Sequence, residues 1–143
     1  MAHGIPYVAT ASVADLHDLE AKVLSAMELH GSRYIHVHVP CPLGWGSDPA
    51  LTISVARLAI ESGLFPIFES RRGEITSVHK IRRRVPVEEY LRLQKRFNHL
   101  FQPVRNTEVI KFIQTIADRN IANYGLDKSN AAFDWDSSEV AAE

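Results

Sequence analysis

An α/β fold is predicted by three features of the sequence. A strand, a helix and a second strand follow one another within residues 6–39, amphipathic helical patterns recur later, and a glycine-containing turn joins two short β-rich runs. Strand, helix, strand at this spacing implies a parallel crossover, in which chemistry gathers at the carboxyl ends of the strands.

The first strand is Pro6-Tyr7-Val8-Ala9-Thr10-Ala11, short, partly β-branched and aromatic. Asp15 then offers an N-cap with Asp18 near the positive helix end, and Leu16, Leu19, Val23 and Met27 recur at helical spacing until Gly31 stops the pattern. In the second strand, Tyr34-Ile35-His36-Val37-His38-Val39 alternates apolar and imidazole side chains, as a strand with two unlike faces does. After the turn-rich Cys41 to Ser47, Asp48 and Pro49 open another helix, with Leu51, Val55 and Leu58 as its apolar stripe and Gly63 at its end. Leu64 to Glu69 and Ile75 to His79 flank Arg71-Arg72-Gly73 and predict a β-hairpin. Pro86 begins a helix carrying Val87, Tyr90, Leu91, Gln94 and Phe97, and Pro103 separates it from a last helix with Val109, Ile113, Ile116 and Ile121 on one side. Residues 1–126 thus form one folded unit, and 127–143 read as an acidic tail bearing the isolated aromatics Phe133 and Trp135.

Bulk properties narrow the function. With 143 residues and 45% hydrophobic content the chain can bury a core, and 16 basic against 17 acidic residues leave no field to draw nucleic acid or an anionic membrane. No apolar run nears the roughly 20 residues that span a bilayer, and the start lacks a secretory signal, so the expected location is cytoplasmic.

Chemistry-bearing residues are few. Cys41, the one cysteine, lies between two prolines just past the end of a strand, in Pro40-Cys41-Pro42-Leu43-Gly44-Trp45. A single thiolate holds neither zinc nor an iron-sulfur cluster unaided, so Cys41 is either a small buried hydrophobe or one member of a site completed by another polypeptide. His36 and His38 share a strand face, and packing explains the pair better than a metal does. Arg71, Arg72, Lys80, Arg82, Arg83 and Arg84 form a basic cluster, a solvated face by default, although the helix start after Arg84 favours an anion. Neither a phosphate loop nor a nucleophile elbow is present, and Gly44-Trp45-Gly46 is too short for a nucleotide fingerprint. No catalytic residue is assigned.

Four stretches stand out: Gly4-Ile5-Pro6-Tyr7-Val8-Ala9-Thr10-Ala11-Ser12, the Pro40 to Trp45 segment, Ser62-Gly63-Leu64-Phe65-Pro66-Ile67-Phe68, and Pro86 to Phe97. In this order and spacing they resemble the C-terminal part of the beta subunit of 2-oxoacid:ferredoxin oxidoreductases, the group that includes pyruvate synthase. The resemblance runs from about Ala2 to Leu100. It implies the C-terminal portion of a thiamine diphosphate-binding fold, with parallel strands, crossover helices, a β-hairpin and C-terminal helices.

It also implies a cofactor role. In that family the beta subunit binds thiamine diphosphate with Mg2+ and carries a 4Fe-4S cluster, and Cys41 corresponds to the last of the cluster cysteines. The family's other cluster cysteines and its Gly-Asp-Gly-type diphosphate motif are absent from this sequence, so a split subunit or a fragment is expected, inactive alone. The implied activity is conversion of a 2-oxoacid and coenzyme A to acyl-CoA and CO2, with ferredoxin as acceptor and other oxidoreductase subunits as partners. Trp45 leans toward pyruvate or branched and aryl 2-oxoacids, while packing in the loop explains that indole equally well. The rival is a non-catalytic interaction or assembly module from the same family, binding a partner through the basic hairpin and acidic tail.

Overall fold

A computed structural model describes Gly4 to Asp127. Apart from Asp127, the acidic segment 127–143 with Phe133 and Trp135 lies outside the described residues, as does His3. Four strands form one mixed sheet, β1 (Tyr7–Ser12), β2 (Arg33–His38), β3 (Phe68–Arg71) and β4 (Glu74–Val78), in the order β2-β1-β3-β4. The helices are α1 (Leu16–Met27), α2 (Pro42–Trp45), α3 (Thr52–Glu61), α4 (Val87–Arg92) and α5 (Thr107–Asn123). The predicted α/β class and crossover hold: β1 pairs parallel with β2 through α1. Beside it, the predicted hairpin of β3 and β4 joins through an antiparallel pairing of β1 with β3, so the sheet is mixed.

β1 is the most buried strand because it is flanked on both edges. Its antiparallel ladder with β3 stops at Ala9, and Thr10 continues it with a side chain. The Thr10 hydroxyl donates to the carbonyl of Pro66 at 2.7 Å and accepts from the backbone N–H of Phe68 at 2.9 Å, a junction where proline has no N–H to give. The hairpin turns through Arg72 (φ 51°) and Gly73 (φ 93°), both left-handed, as a two-residue hairpin turn requires.

Helix α1 departs from expectation in its facing. Asp15 caps it as predicted, its carboxylate accepting from Asp18 N–H at 3.1 Å. Most of the apolar residues at helical spacing look outward: Leu16 is 65% and Met27 70% exposed, with Val23 and Leu24 also exposed. The buried positions are Ala26 and Lys22, which is 3% exposed and bonded to Asp18 at 2.6 Å. Ala26 packs with Tyr7, Ala9 and Ile35 because a small side chain lets the helix approach the sheet.

The other helices build a second, larger core from Val55, Ala59, Val87, Tyr90, Leu91, Leu100, Ile110 and Ala117, with Trp45 and Phe65 packed against it. The predicted helix from Pro86 to Phe97 is broken: α4 stops at Arg92, Gln94 is extended, and a 3-10 segment spans Lys95–Leu100. Buried Gln94 donates its side-chain amide to the Tyr90 carbonyl at 2.6 Å, filling an acceptor that a continuing helix would have satisfied. In α5 the buried line is Ile110, Ala117 and Ile121, one position off the expected Val109, which is exposed. Gly63 ends the third helix at φ 80°, pressed against Ile121, and its carbonyl accepts from Asn120 at 3.0 Å.

Candidate functional site around Cys41

β2 delivers Cys41 to the carboxyl end of the parallel pair. Pro40 is buried and fixes the exit of the strand, while Pro42 occupies the first position of α2, where its missing N–H costs nothing. Cys41 is therefore the N-cap: its Sγ accepts from the backbone N–H of Gly44 at 3.4 Å. The thiol is free and exposed, so Cys41 is not part of this chain's own core. Two positions away on either side in sequence, Val39 is 55% and Leu43 96% exposed.

The loop is held from behind. Gly46 closes α2 in the left-handed region at φ 65°, and a Cβ there would stand 2.7 Å from Cβ of Lys95. Lys95 N–H donates to the Gly46 carbonyl at 3.3 Å, tying the loop to the 3-10 segment. Trp45 carries the guanidinium of Arg96 at 3.9 Å from its ring centroid and the His38 ring at 5.7 Å. Arg96 is itself oriented by Gln94 Oε1 at 2.9 Å and by the Tyr90 hydroxyl at 3.3 Å.

His36 and His38 do share a face, where they meet aromatic rings. His38 lies 4.9 Å from Phe65 and 6.5 Å from Tyr90, and His36 meets Phe65 edge-on at 5.3 Å. Burial lowers the His38 pKa to about 4, with His36 and the Arg96 charge adding to the effect, so the ring is neutral near pH 7. Among the described residues, its buried Nε2 has no hydrogen-bond partner, and no group of three or more His, Cys, Asp or Glu is placed to hold a metal ion. Sequence reading gave Gln94, Arg96, Phe65 and Lys95 no role at the loop, because each meets it from a distant part of the chain; the one signal was that all four lie in the stretches singled out, Ser62 to Phe68 and Pro86 to Phe97.

Half of the basic cluster is engaged. Arg84 pairs with Asp118 at 2.8 Å and Asp127 at 3.4 Å, Arg83 with Glu61 at 3.4 Å, and Lys80 donates to the Gly125 carbonyl. The start of α4, expected to favour an anion, is taken by Gln114, whose Oε1 accepts from Val87 N–H at 3.0 Å.

Sequence comparison places the chain in a family: it is kin to part of the beta subunit of 2-oxoacid:ferredoxin oxidoreductases, as the four stretches implied. The particular relatives are of the PorB type. Pyruvate synthase subunit PorB of Methanosarcina barkeri is 51% identical over 125 residues, 87% of this chain and 42% of that protein. The PorB of Methanocaldococcus jannaschii is 43% identical over 125 residues, 87% of this chain and 40% of that protein. Ketoisovalerate oxidoreductase subunit VorB of Pyrococcus abyssi is 40% identical over 102 residues, 70% of this chain and 33% of that protein. The chain thus spans less than half the length of the curated relatives it matches. No family model matches it. Among the described residues no helix is long and apolar enough to cross a membrane.

Proposed function

We propose that this chain is one part of a multisubunit 2-oxoacid:ferredoxin oxidoreductase and supplies a single cysteine ligand, Cys41, to a 4Fe-4S cluster whose other ligands lie on polypeptide outside this sequence. The carrying observation is the thiol itself. It is exposed at the end of a parallel strand and accepts the Gly44 N–H, an environment suited to one corner of a shared cluster. The N–H to sulfur bond would stabilise the more negative, reduced cluster.

The reaction proposed for the assembly joins a 2-oxoacid and coenzyme A into an acyl-CoA and releases CO2, a proton and an electron pair that passes to ferredoxin. Pyruvate is the favoured substrate, with branched or aryl 2-oxoacids as alternatives; the pyruvate synthase and ketoisovalerate oxidoreductase names of the relatives support the pyruvate and branched readings. Thiamine diphosphate, bound with Mg2+ by the polypeptide outside this sequence, supplies the carbanion chemistry at the 2-oxo carbon. The contribution of this chain is positional: Gly46 and Lys95 fix the loop, and Trp45, Arg96 and His38 brace it. A cytoplasmic site of action fits this chemistry.

The assembly-module reading keeps the exposed hairpin residues Arg71 and Arg72, but loses Lys80, Arg83 and Arg84, which are bonded within the fold. Anaerobic purification with its co-purifying polypeptides, followed by iron and sulfide analysis of the native chain and of Cys41→Ser, separates the two. Cluster iron that is lost in the serine variant is expected. A native complex without iron, or a serine variant with its full cluster, defeats the ligand assignment.

A further inference from the structure

We infer that the cavity between the carboxyl end of β1, the second half of α3 and the segment after β4 binds a phosphate group, held by Arg57 and Arg82 with the His79 imidazole at its side. The assignment of Cys41 does not enter into it. Arg57, Ile60 and Glu61 reach the cavity from one face of α3, at helical spacing. Asp15 borders it after β1, and His79, Ile81 and Arg82 after β4. Backbone bonds hold that last segment in place. The His79 N–H donates to the Ile67 carbonyl at 2.9 Å, that of Ile81 to Leu126 at 2.9 Å and that of Val85 to Glu61 at 3.2 Å. Ile81, 4% exposed, gives the cavity a buried apolar wall.

Charge sets the sign of the ligand. Both bordering carboxylates are engaged, since Asp15 accepts from the Asp18 N–H at 3.1 Å and Glu61 meets Arg83 at 3.4 Å. Arg57 and Arg82 are exposed, and among the described residues neither has an ion-pair partner. With Arg83 beside Glu61, three guanidinium groups stand against two carboxylates, which leaves the cavity cationic. A guanidinium fork bonds phosphate oxygens in pairs, and forks from α3 and from the segment after β4 suit an anion with oxygens on several sides. Size points to an end group. The cavity holds about 240 Å³, below the about 300 to 1,000 Å³ that takes a whole drug-sized ligand. The place is also one for ligands. β1 and β2 run parallel, so the cavity after β1 and the loop after β2 share the end of the sheet where ligands gather in such folds.

Free phosphate and the phosphate end of an organic ester share this chemistry, and the test separates them. Inorganic phosphate and phenyl phosphate are titrated at fixed ionic strength into the full chain and into Arg57→Gln, Arg82→Gln and Arg72→Gln. The last is a basic control, in the hairpin turn at the amino end of β1, where the Arg72 N–H donates to the Pro6 carbonyl at 3.0 Å. Calorimetry gives the affinity, and the His79 ring signals in the proton NMR spectrum report contact at the site. Saturable binding with a Kd of about 1 mM or tighter is expected, at least about tenfold weaker in the two cavity variants and unchanged in the control, with the His79 signals moving in step. Tighter binding of phenyl phosphate assigns the site to an organic ester, and equal or weaker binding assigns it to the free anion. No saturation by about 10 mM, cavity variants that bind like the native chain, a control weakened as much as they are, or His79 signals that stay still each overturns the inference. The NMR readout is made on the native chain, so it decides even where a substitution disturbs folding. Neither readout uses iron or turnover, so a failure of the Cys41 assignment registers separately.

Discussion

The ring of His38 lies over that of Trp45, with centroids 5.7 Å apart and planes inclined by 27°. This contact links the end of β2 to the loop that carries Cys41, and Arg96 approaches the same indole from the 3-10 segment. Trp45→Ala removes an aromatic body shared by three stretches of chain. It should cost about 2 to 4 kcal/mol, at or below the usual range for a core tryptophan because Trp45 is only partly buried. The urea midpoint at constant m-value measures it.

Stability should fall on acidification through His38. Its folded pKa, lowered to about 4, lies below the ordinary value of 6.5, so between these values the unfolded chain binds the extra proton. The contribution is complete above about pH 6.5 and is lost as the pH drops toward about 4. His38→Phe keeps a ring in the aromatic layer and cannot titrate. The difference in unfolding free energy between the two proteins, followed from pH 7 to pH 4, should therefore narrow or reverse in favour of phenylalanine as the pH falls.

Gly63→Ala should be among the more damaging small substitutions. The glycine has φ 80°, and an added Cβ would stand 2.6 Å from Ile121 Cγ1 and 3.0 Å from the Ala117 carbonyl oxygen. Left-handed backbone and forced displacement of α5 together cost about 2 to 4 kcal/mol. A thermal melt shifted down by several degrees checks this, and an unchanged melt refutes the close packing of α3 on α5.

The Lys22 and Asp18 pair should respond asymmetrically. Lys22 is 3% exposed against 25% for Asp18, so Asp18→Ala strands a buried ammonium and costs about 2 to 4 kcal/mol. Lys22→Met leaves a hydrated carboxylate and a well-filled site, and costs less than about 1.5 kcal/mol. Equal losses in chemical denaturation would contradict the burial of Lys22.

Much of the fold was legible because local chemistry set it. The Asp15 cap, the alternation in β2, the left-handed turn at Arg72 and Gly73 and the stop at Gly63 are each written in a few adjacent residues. The facing of α1 was not. Periodicity reports that Leu16, Val23 and Met27 share a side, but which side meets the sheet depends on the small Ala26 and the paired Lys22. The broken helix after Arg92 was hidden for a similar reason, since Gln94 acts through a buried bond that a propensity argument does not contain. At the candidate site, the isolation of Cys41 and its strand-end position were readable from the start. The bracing by Lys95 and Arg96 was not, because it joins residues about 50 positions apart.

The packing of Trp45 gives the loop an optical readout. The chain has only one other tryptophan, Trp135, so a Trp135→Phe variant confines indole emission to the residue four positions after Cys41. Arg96 and His38 both touch that indole, and a protonated imidazole quenches indole fluorescence more strongly than a neutral one. Emission intensity and wavelength therefore follow the state of this loop in solution, without a label.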